Sequence, residues 1–194
     1  MKTKNIEFES RFWSGSKTNS RIKLIEKFFQ FNDLVTAKEI LNQIMIHSGK
    51  KKSVIAEDSS AIFHFHQALR SLVRACYLLL RKEKRLKINE PPQNYSPLSQ
   101  GSLSDGEFVN PILVFQNAFG EYSIKDFDYY ISVAVYFSLG NYSHTSESKI
   151  FVPYLHLCKM LDASYLIMER AIKKKNHQLL KNDKKETDSK INNY

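Results

Sequence analysis

The residues with the most conspicuous chemistry lie in one 23-residue stretch, FHFHQALRSLVRACYLLLRKEKR, at positions 63–85. This stretch holds two histidines and four of the seven arginines, although lysine outnumbers arginine 22 to 7 in the whole chain. A guanidinium group presents a planar fork of donors that matches a phosphate or a carboxylate. The stretch therefore raises three alternatives: a metal site, a face that binds a polyanion, or the ordinary polar side of a helix.

The two histidines of this stretch are poorly placed for a metal. His64 and His66 lie two positions apart, which separates their side chains by about 200° around a helix axis. The chain contains no HExxH, ExxH or paired CxxC pattern, and such patterns supply the usual ligands of zinc and di-iron sites. We therefore expect no metal and no other cofactor.

The arginines form a more informative pattern, because most of them follow one another at a spacing of four residues. A helix would carry them as a basic stripe opposite its apolar side. Contacts of this stripe with phosphates would give an affinity for RNA or DNA that falls steeply with salt. Salt bridges within the protein or between subunits are the alternative. The residues of the predicted nucleic-acid site are His66, Arg70, Arg74, Arg81 and Arg85.

The distribution of charge is compatible with either use of the stripe. The net charge of +9 divides into +5 for residues 1–57, +5 for 58–88, −6 for 89–169 and +5 for 170–194. Such a bipolar chain admits a polyanion as partner, and it equally admits two protomers or two faces that meet by complementary charge. The second function that we consider is therefore a protein-interaction or scaffolding subunit that forms oligomers.

A third and weaker alternative is catalytic. Metal-independent RNases of the HEPN type use an arginine and a histidine four to six residues apart on a helical bundle, and the spacing of Arg170 and His177 is similar to that arrangement. The chain departs from that arrangement at Ala171, where those enzymes usually have asparagine. His144, in a turn between two predicted helices, offers another imidazole. The chain has no P-loop, GxSxG or GxGxxG motif.

These residues have to be positioned by a mostly α-helical fold, an irregular bundle of four to five helices. Short helices are predicted for residues 20–31 and from Thr36 to Gly49, and two long ones for 58–88 and 148–178. In the first long helix, apolar residues recur at steps of three and four and predict its buried side. These residues are Ile62, Phe65, Leu69, Leu72, Cys76 and Leu79.

Two segments leave the choice between helix and strand open. Residues 112–115 follow a helix-start pattern, Asn110-Pro111, but a short strand competes. Residues 127–139 alternate in a way that is typical of a strand, and they are rich in aromatic and β-branched residues. We favour a helix for 127–139, because the other segments offer no convincing strand with which it could pair.

We expect one domain at residues 20–180, which includes a long loop at 89–109. A flexible arm at 1–19 would precede it and a disordered basic and polar tail at 181–194 would follow it. Cys76 and Cys158 lie among apolar residues and are expected to be reduced. No signal peptide is visible, and no uninterrupted apolar stretch reaches the ~20 residues of a membrane span. The default expectation is a cytoplasmic protein without a membrane partner.

Overall fold

The computed structural model describes residues 21–49, 55, 58–81, 100–140 and 150–170. Within these residues 87% are helical and no strand occurs, which confirms the prediction of a mostly α protein. The described residues form seven helices rather than four to five. They are α1 (Arg21–Phe31), α2 (Leu34–Gly49), α3 (Ser59–Leu80), α4 (Asp105–Val109), α5 (Ile112–Glu121), α6 (Ile124–Leu139) and α7 (Ile150–Arg170). The proposed arm at 1–19 and tail at 181–194 lie outside the described residues.

Helix α3 buries the side that its sequence pattern predicts. It begins after Asp58, whose carboxylate accepts a hydrogen bond from the backbone N–H of Ser60 at 3.2 Å. Each of the six apolar residues of the predicted seam has at most 3% of its surface exposed. Helix α3 contacts α1, α5 and α6, so it lies among the other described helices.

The segment at 127–139 is helical, as we favoured. Ser123 and Asp126 form a capping box, in which each side chain accepts a hydrogen bond from the other residue's backbone N–H. The buried residues of α6 follow steps of four, three and four, which is the period of a helix. They are Phe127, Ile131, Ala134 and Ser138. The tyrosines that suggested a strand, Tyr129 and Tyr136, are 61% and 62% exposed.

The last part of the segment that we expected to be a loop contains a short helix. Ser104 and Glu107 close a capping box at the start of α4, and Leu103 and Phe108 are buried on either side of it. Two apolar anchors and a satisfied helix start give these residues a fixed conformation. We call residues 100–110 the strap, because they run along α7.

Helix α7 contacts helices on several sides of the bundle. Tyr165 packs edge-to-face against Phe29 of α1, and the Ser164 hydroxyl lies 3.2 Å from the Cys76 thiol of α3. Of the described helices, α7 alone is long and apolar enough to cross a membrane by length and composition. More than half of that apolar window is buried, so we interpret α7 as the core helix of the bundle. The sequence predicted a long helix here, at 148–178, but no stretch of membrane-spanning length, because polar residues interrupt its apolar runs.

The strap is attached to α7 by a buried carboxylate. Asp162, 5% exposed, accepts hydrogen bonds from the Ser102 backbone N–H at 2.9 Å and from the Ser102 hydroxyl at 2.6 Å. The Lys38 ammonium of α2 donates to both of its oxygens, at 2.9 and 3.0 Å. One carboxylate therefore joins α2, the strap and α7.

Glycine is required at position 101 for this attachment. Gly101 has a φ of +60°, and a Cβ there would lie 2.7 Å from Oδ2 of Asp162. We predict that Gly101→Ala lowers the free energy of unfolding by about 1–3 kcal/mol, since it adds backbone strain and a clash with the carboxylate. Urea denaturation measures the change. Gly106→Ala, in the same strap but with no atom within 4 Å of its Cβ, is the control, and an equal loss in both variants would contradict this account.

Candidate binding groove

The arginines at the centre of the predicted stripe contact a carboxylate of the same chain. Arg70 donates from Nε to Asp128 of α6 at 3.1 Å, and Arg74 donates from Nη2 to the other oxygen of Asp128 at 2.6 Å. The side chains of Arg70 and Arg74 are 22% and 17% exposed. The stripe therefore faces α6, which runs antiparallel to α3, and it faces the bulk solvent only in part.

His66 lies on the same side of α3 and is an uncharged residue at neutral pH. Its Nε2 lies 3.1 Å from the Ser132 hydroxyl of α6. The pKa of His66 is lowered to about 4, mainly by burial; the positive charges of Arg70 and Arg74 also lower it, and the nearby Asp128 carboxylate acts in the opposite direction. An uncharged imidazole adds nothing to the positive potential that a polyanion would require.

The remaining residues that the sequence singled out are not gathered into one site. Arg81 follows the last residue of α3 and is exposed, whereas Arg85, His144 and His177 lie outside the described residues. Arg170, 7% exposed, donates to the carbonyl oxygens of Phe108 at 2.6 Å and Val109 at 3.1 Å. Its guanidinium also lies 5.2 Å from the centre of the Phe108 ring. Arg170 thus caps the end of α4 and attaches the strap a second time.

An open groove of about 560 Å³ lies between α5 and α7. This volume falls within the range of roughly 300–1,000 Å³ that is typical of ligand-binding clefts. Val114 forms part of its base, and Val152 and Leu155 of α7, which are 40% and 44% exposed, form an apolar wall. Asn117 of α5 adds an exposed amide. Apolar surface beside a few polar groups is the usual composition of a binding cleft.

A partly buried ion pair closes the groove on the side of the strap. The Lys159 ammonium donates to both oxygens of Glu107, at 3.0 and 2.8 Å, and the Glu107 side chain is 8% exposed. Burial acts to raise the pKa of Glu107, but the Lys159 contacts and the Ser104 backbone N–H outweigh it, and the pKa is lowered. The two charges compensate each other, so this side of the groove is polar and has no net charge.

A carboxylate and an imidazole, those of Glu121 and His156, form a second pair in the groove. Nε2 of His156 lies 3.1 Å from an oxygen of Glu121, whose side chain is 57% exposed. The His156 ring contacts Tyr122 and Phe127 edge-to-face, which fixes its orientation. The four ionisable groups of the groove therefore carry a net charge of −1 with an uncharged imidazole and of zero with a protonated one. In neither state is the groove basic.

Hydroxyl and thiol side chains are missing from the described lining of the groove. Among the described residues that line it, none is serine, threonine or cysteine. Burial raises the pKa of the Cys76 thiol to about 12 and also raises that of Cys158, so both sulfurs are held as unreactive thiols. Both are free cysteines, as expected. In the described part of the chain, no cluster of three or more His, Cys, Asp or Glu side chains is arranged to hold a metal ion.

Sequence reasoning missed this groove, because its residues come from α4, α5 and α7 and follow no local pattern. The signal that could have indicated it is the pair of apolar residues Val152 and Leu155, which lie on the outer side of α7 one turn apart. Comparison with known proteins adds no further guide, since no family model, no curated protein and no solved structure matches the chain.

The environment of His66 generates a prediction about stability and pH. The pKa of the His66 imidazole is about 4 in the folded state and about 6.5 in the unfolded chain. At pH values between 4 and 6.5, the unfolded chain therefore binds more protons than the folded one. Stability from this group is complete above pH 6.5 and is lost as the pH falls toward 4, by roughly 3 kcal/mol in total. We expect His66→Asn to remove that part of the pH dependence of unfolding.

Chemical denaturation at a series of pH values between 4 and 7 tests this expectation. The difference in the free energy of unfolding between the variant and the wild type separates the contribution of His66 from that of the carboxylates, which also titrate in this range. His64→Asn makes the same side-chain change two positions earlier on α3, away from Ser132 and Asp128, and is the matched control. If both variants and the wild type had the same slope, His66 would not be buried as an uncharged residue.

Proposed function

We propose that the chain is a protein-interaction module that binds a polypeptide segment in the groove between α5 and α7. The observation that carries this proposal is the coexistence in one cleft of exposed apolar side chains, Val152 and Leu155, with an exposed carboxylate, Glu121. Apolar side chains of a bound segment would pack on the first two residues. A cation of that segment would meet Glu121 at the edge, where charge contributes mainly to specificity and to the rate of association.

The charges of the groove favour a polypeptide over a nucleic acid. A phosphate backbone needs lysine and arginine side chains that can replace its counterions. The cation of the groove, Lys159, is already paired with Glu107, and Glu121 would repel a phosphate. A cleft with these charges is therefore unsuitable for RNA or DNA.

Nucleic-acid binding through the arginine stripe has less support than the groove. Arg70 and Arg74 share Asp128, so binding a phosphate there would separate an existing ion pair and expose its carboxylate to the phosphate. Such a rearrangement would weaken the binding, because a partly buried charge would lose its partner. Arg81 is the exposed cation of the stripe among the described residues.

An RNase function has still less support. The Arg170 side chain is 93% buried and donates to two backbone carbonyl oxygens of the strap. A guanidinium in this position stabilises the end of α4 and is not presented to a substrate. Since His177 lies outside the described residues, the proposal of an Arg–His pair rests on spacing in the sequence alone.

Photo-crosslinking in cells tests the proposal directly. Replacing Leu155 by p-benzoylphenylalanine in the full-length chain puts a photoreactive group on the apolar wall of the groove. We expect irradiation to give covalent adducts whose added mass is protease-sensitive and nuclease-resistant, and mass spectrometry of the adducts would identify the polypeptide and the residues crosslinked.

The matched control places the same photoreactive residue at Val35 of α2, which is 65% exposed and does not line the groove. Adducts from position 155 that are absent from position 35 would support a polypeptide site in the groove. Nuclease-sensitive adducts, or equal adducts from both positions, would contradict it.

A further inference from the structure

We infer that the polypeptide bound in the groove is the basic segment 171–181 of a second copy of the same chain. This inference rests on the proposed function, since it names the occupant of the groove. It is carried by the fit between the chemistry of the groove and that of the segment, and by the position of the strap.

The groove specifies a segment that is both basic and apolar. Val152 and Leu155 offer apolar surface, and the exposed Glu121 lies near them on the neighbouring helix. The surrounding sequence strengthens this preference, because residues 100–140 contain five Asp and Glu against a single lysine. A segment that places lysines beside leucines would satisfy both features, since an acidic surface attracts cations over about a Debye length, roughly 8–10 Å.

The chain contains such a segment, and its positive charge is concentrated outside the described bundle. The described residues carry ten Lys and Arg against eleven Asp and Glu, whereas the whole chain has a net charge of +9. The sequence AIKKKNHQLLK at 171–181 has four lysines and no acidic residue. Its apolar residues Ile172, Leu179 and Leu180 are spaced at seven and eight positions, as on one side of an amphipathic helix.

The position of the strap favours a second copy over the same molecule. Residue 171 follows the last described residue of α7, and the groove lies around His156, which is 14 positions and about 21 Å back along the helix axis. The strap covers the surface of α7 between residue 170 and the groove. Ser102 contacts Asp162, Glu107 contacts Lys159, and the carbonyl groups of Phe108 and Val109 contact Arg170. The molecule's own segment would have to pass around the strap, whereas a segment from another copy can approach the open side of the groove.

Exchange between two copies would be reciprocal. If two α7 helices run antiparallel about a two-fold axis, the carboxyl-terminal end of each helix lies toward the amino-terminal half of the other, where the groove lies. Each copy then donates one segment and receives one, as a closed isologous dimer requires.

Self-association of the purified full-length chain tests the inference. Sedimentation velocity over a range of protein concentrations should show a dimer that weakens as salt is added.

Glu121→Lys should weaken association at least about tenfold, since it places like charges together. Glu121→Gln should weaken association less. Glu39→Lys makes the same charge change at an exposed position of α2 and should leave association unchanged. Because Glu121 is 57% exposed, the substitutions should leave the helical content seen by circular dichroism intact.

Fluorescence anisotropy with a labelled peptide of residues 171–181 supplies the second measurement. The peptide should bind the wild-type chain, compete with the dimer and lose affinity for Glu121→Lys, while a peptide with its four lysines replaced by glutamate should not bind. A chain that stays monomeric, or a dimer that Glu121→Lys leaves intact, would overturn the inference. A third result would also overturn the inference: a monomer that binds the peptide only after Lys173, Lys174 and Lys175 of the chain are changed to glutamate. That result would mean that the unmodified segment occupies the groove of its own molecule.

Failure of this inference can be separated from failure of the proposed function. If position 155 captures a different polypeptide in cells while the purified chain remains monomeric, the groove binds a protein but the occupant is not a second copy. If position 155 captures no polypeptide in cells and the labelled peptide does not bind, both proposals fail.

Discussion

A buried carboxylate, that of Asp162, constrains how the strap and the groove are formed. Removing an ionised carboxylate from water costs several kcal/mol unless a counter-charge and hydrogen-bond donors replace the solvent. Lys38 supplies the charge from α2, and Ser102 supplies two donors from the strap. The fold can therefore keep Asp162 in the middle of α7 only if α2 and the strap both lie against this helix. Gly101 makes the approach possible, because it leaves room for the carboxylate where any other residue would place a Cβ.

The groove is a consequence of this attachment. Ser102 is held at Asp162, and α4 begins two residues later, after its N-cap Ser104. Glu107 of α4 then contacts Lys159, which lies one turn of α7 before Asp162. Arg170 holds the other end of α4 by its carbonyl oxygens. The strap thus covers the carboxyl-terminal half of one side of α7 and stops at Lys159. Beyond that point α5 and α7 are bridged by the His156–Glu121 contact at the edge, and the space between them remains open.

The sequence was sufficient for features that depend on residues close together in the chain. The apolar seam of α3 is of this kind and is confirmed. The capping box of α6 also joins residues only three positions apart, Ser123 and Asp126. The partners of the arginines are of another kind, since Asp128 lies 58 and 54 positions from Arg70 and Arg74. Periodicity gives the direction of a side chain around its own helix, but it does not give the helix that packs there. The groove depends on the packing of three helices, so a local pattern such as the Val152 and Leu155 pair could at most indicate one of its walls.

The distribution of charge that first suggested a polyanion acquires a different meaning in the folded chain. In the described bundle, acidic and basic residues nearly balance, and the best-aligned arginines contact Asp128. The excess of lysine therefore belongs to sequence outside that bundle, while the open groove has an exposed carboxylate and an apolar wall. A free basic surface on the bundle would have favoured phosphate. A balanced bundle whose cleft has an exposed carboxylate, together with basic sequence outside the bundle, is the basis on which we propose association between chains, because the attraction then acts between parts that one chain cannot easily bring together by itself.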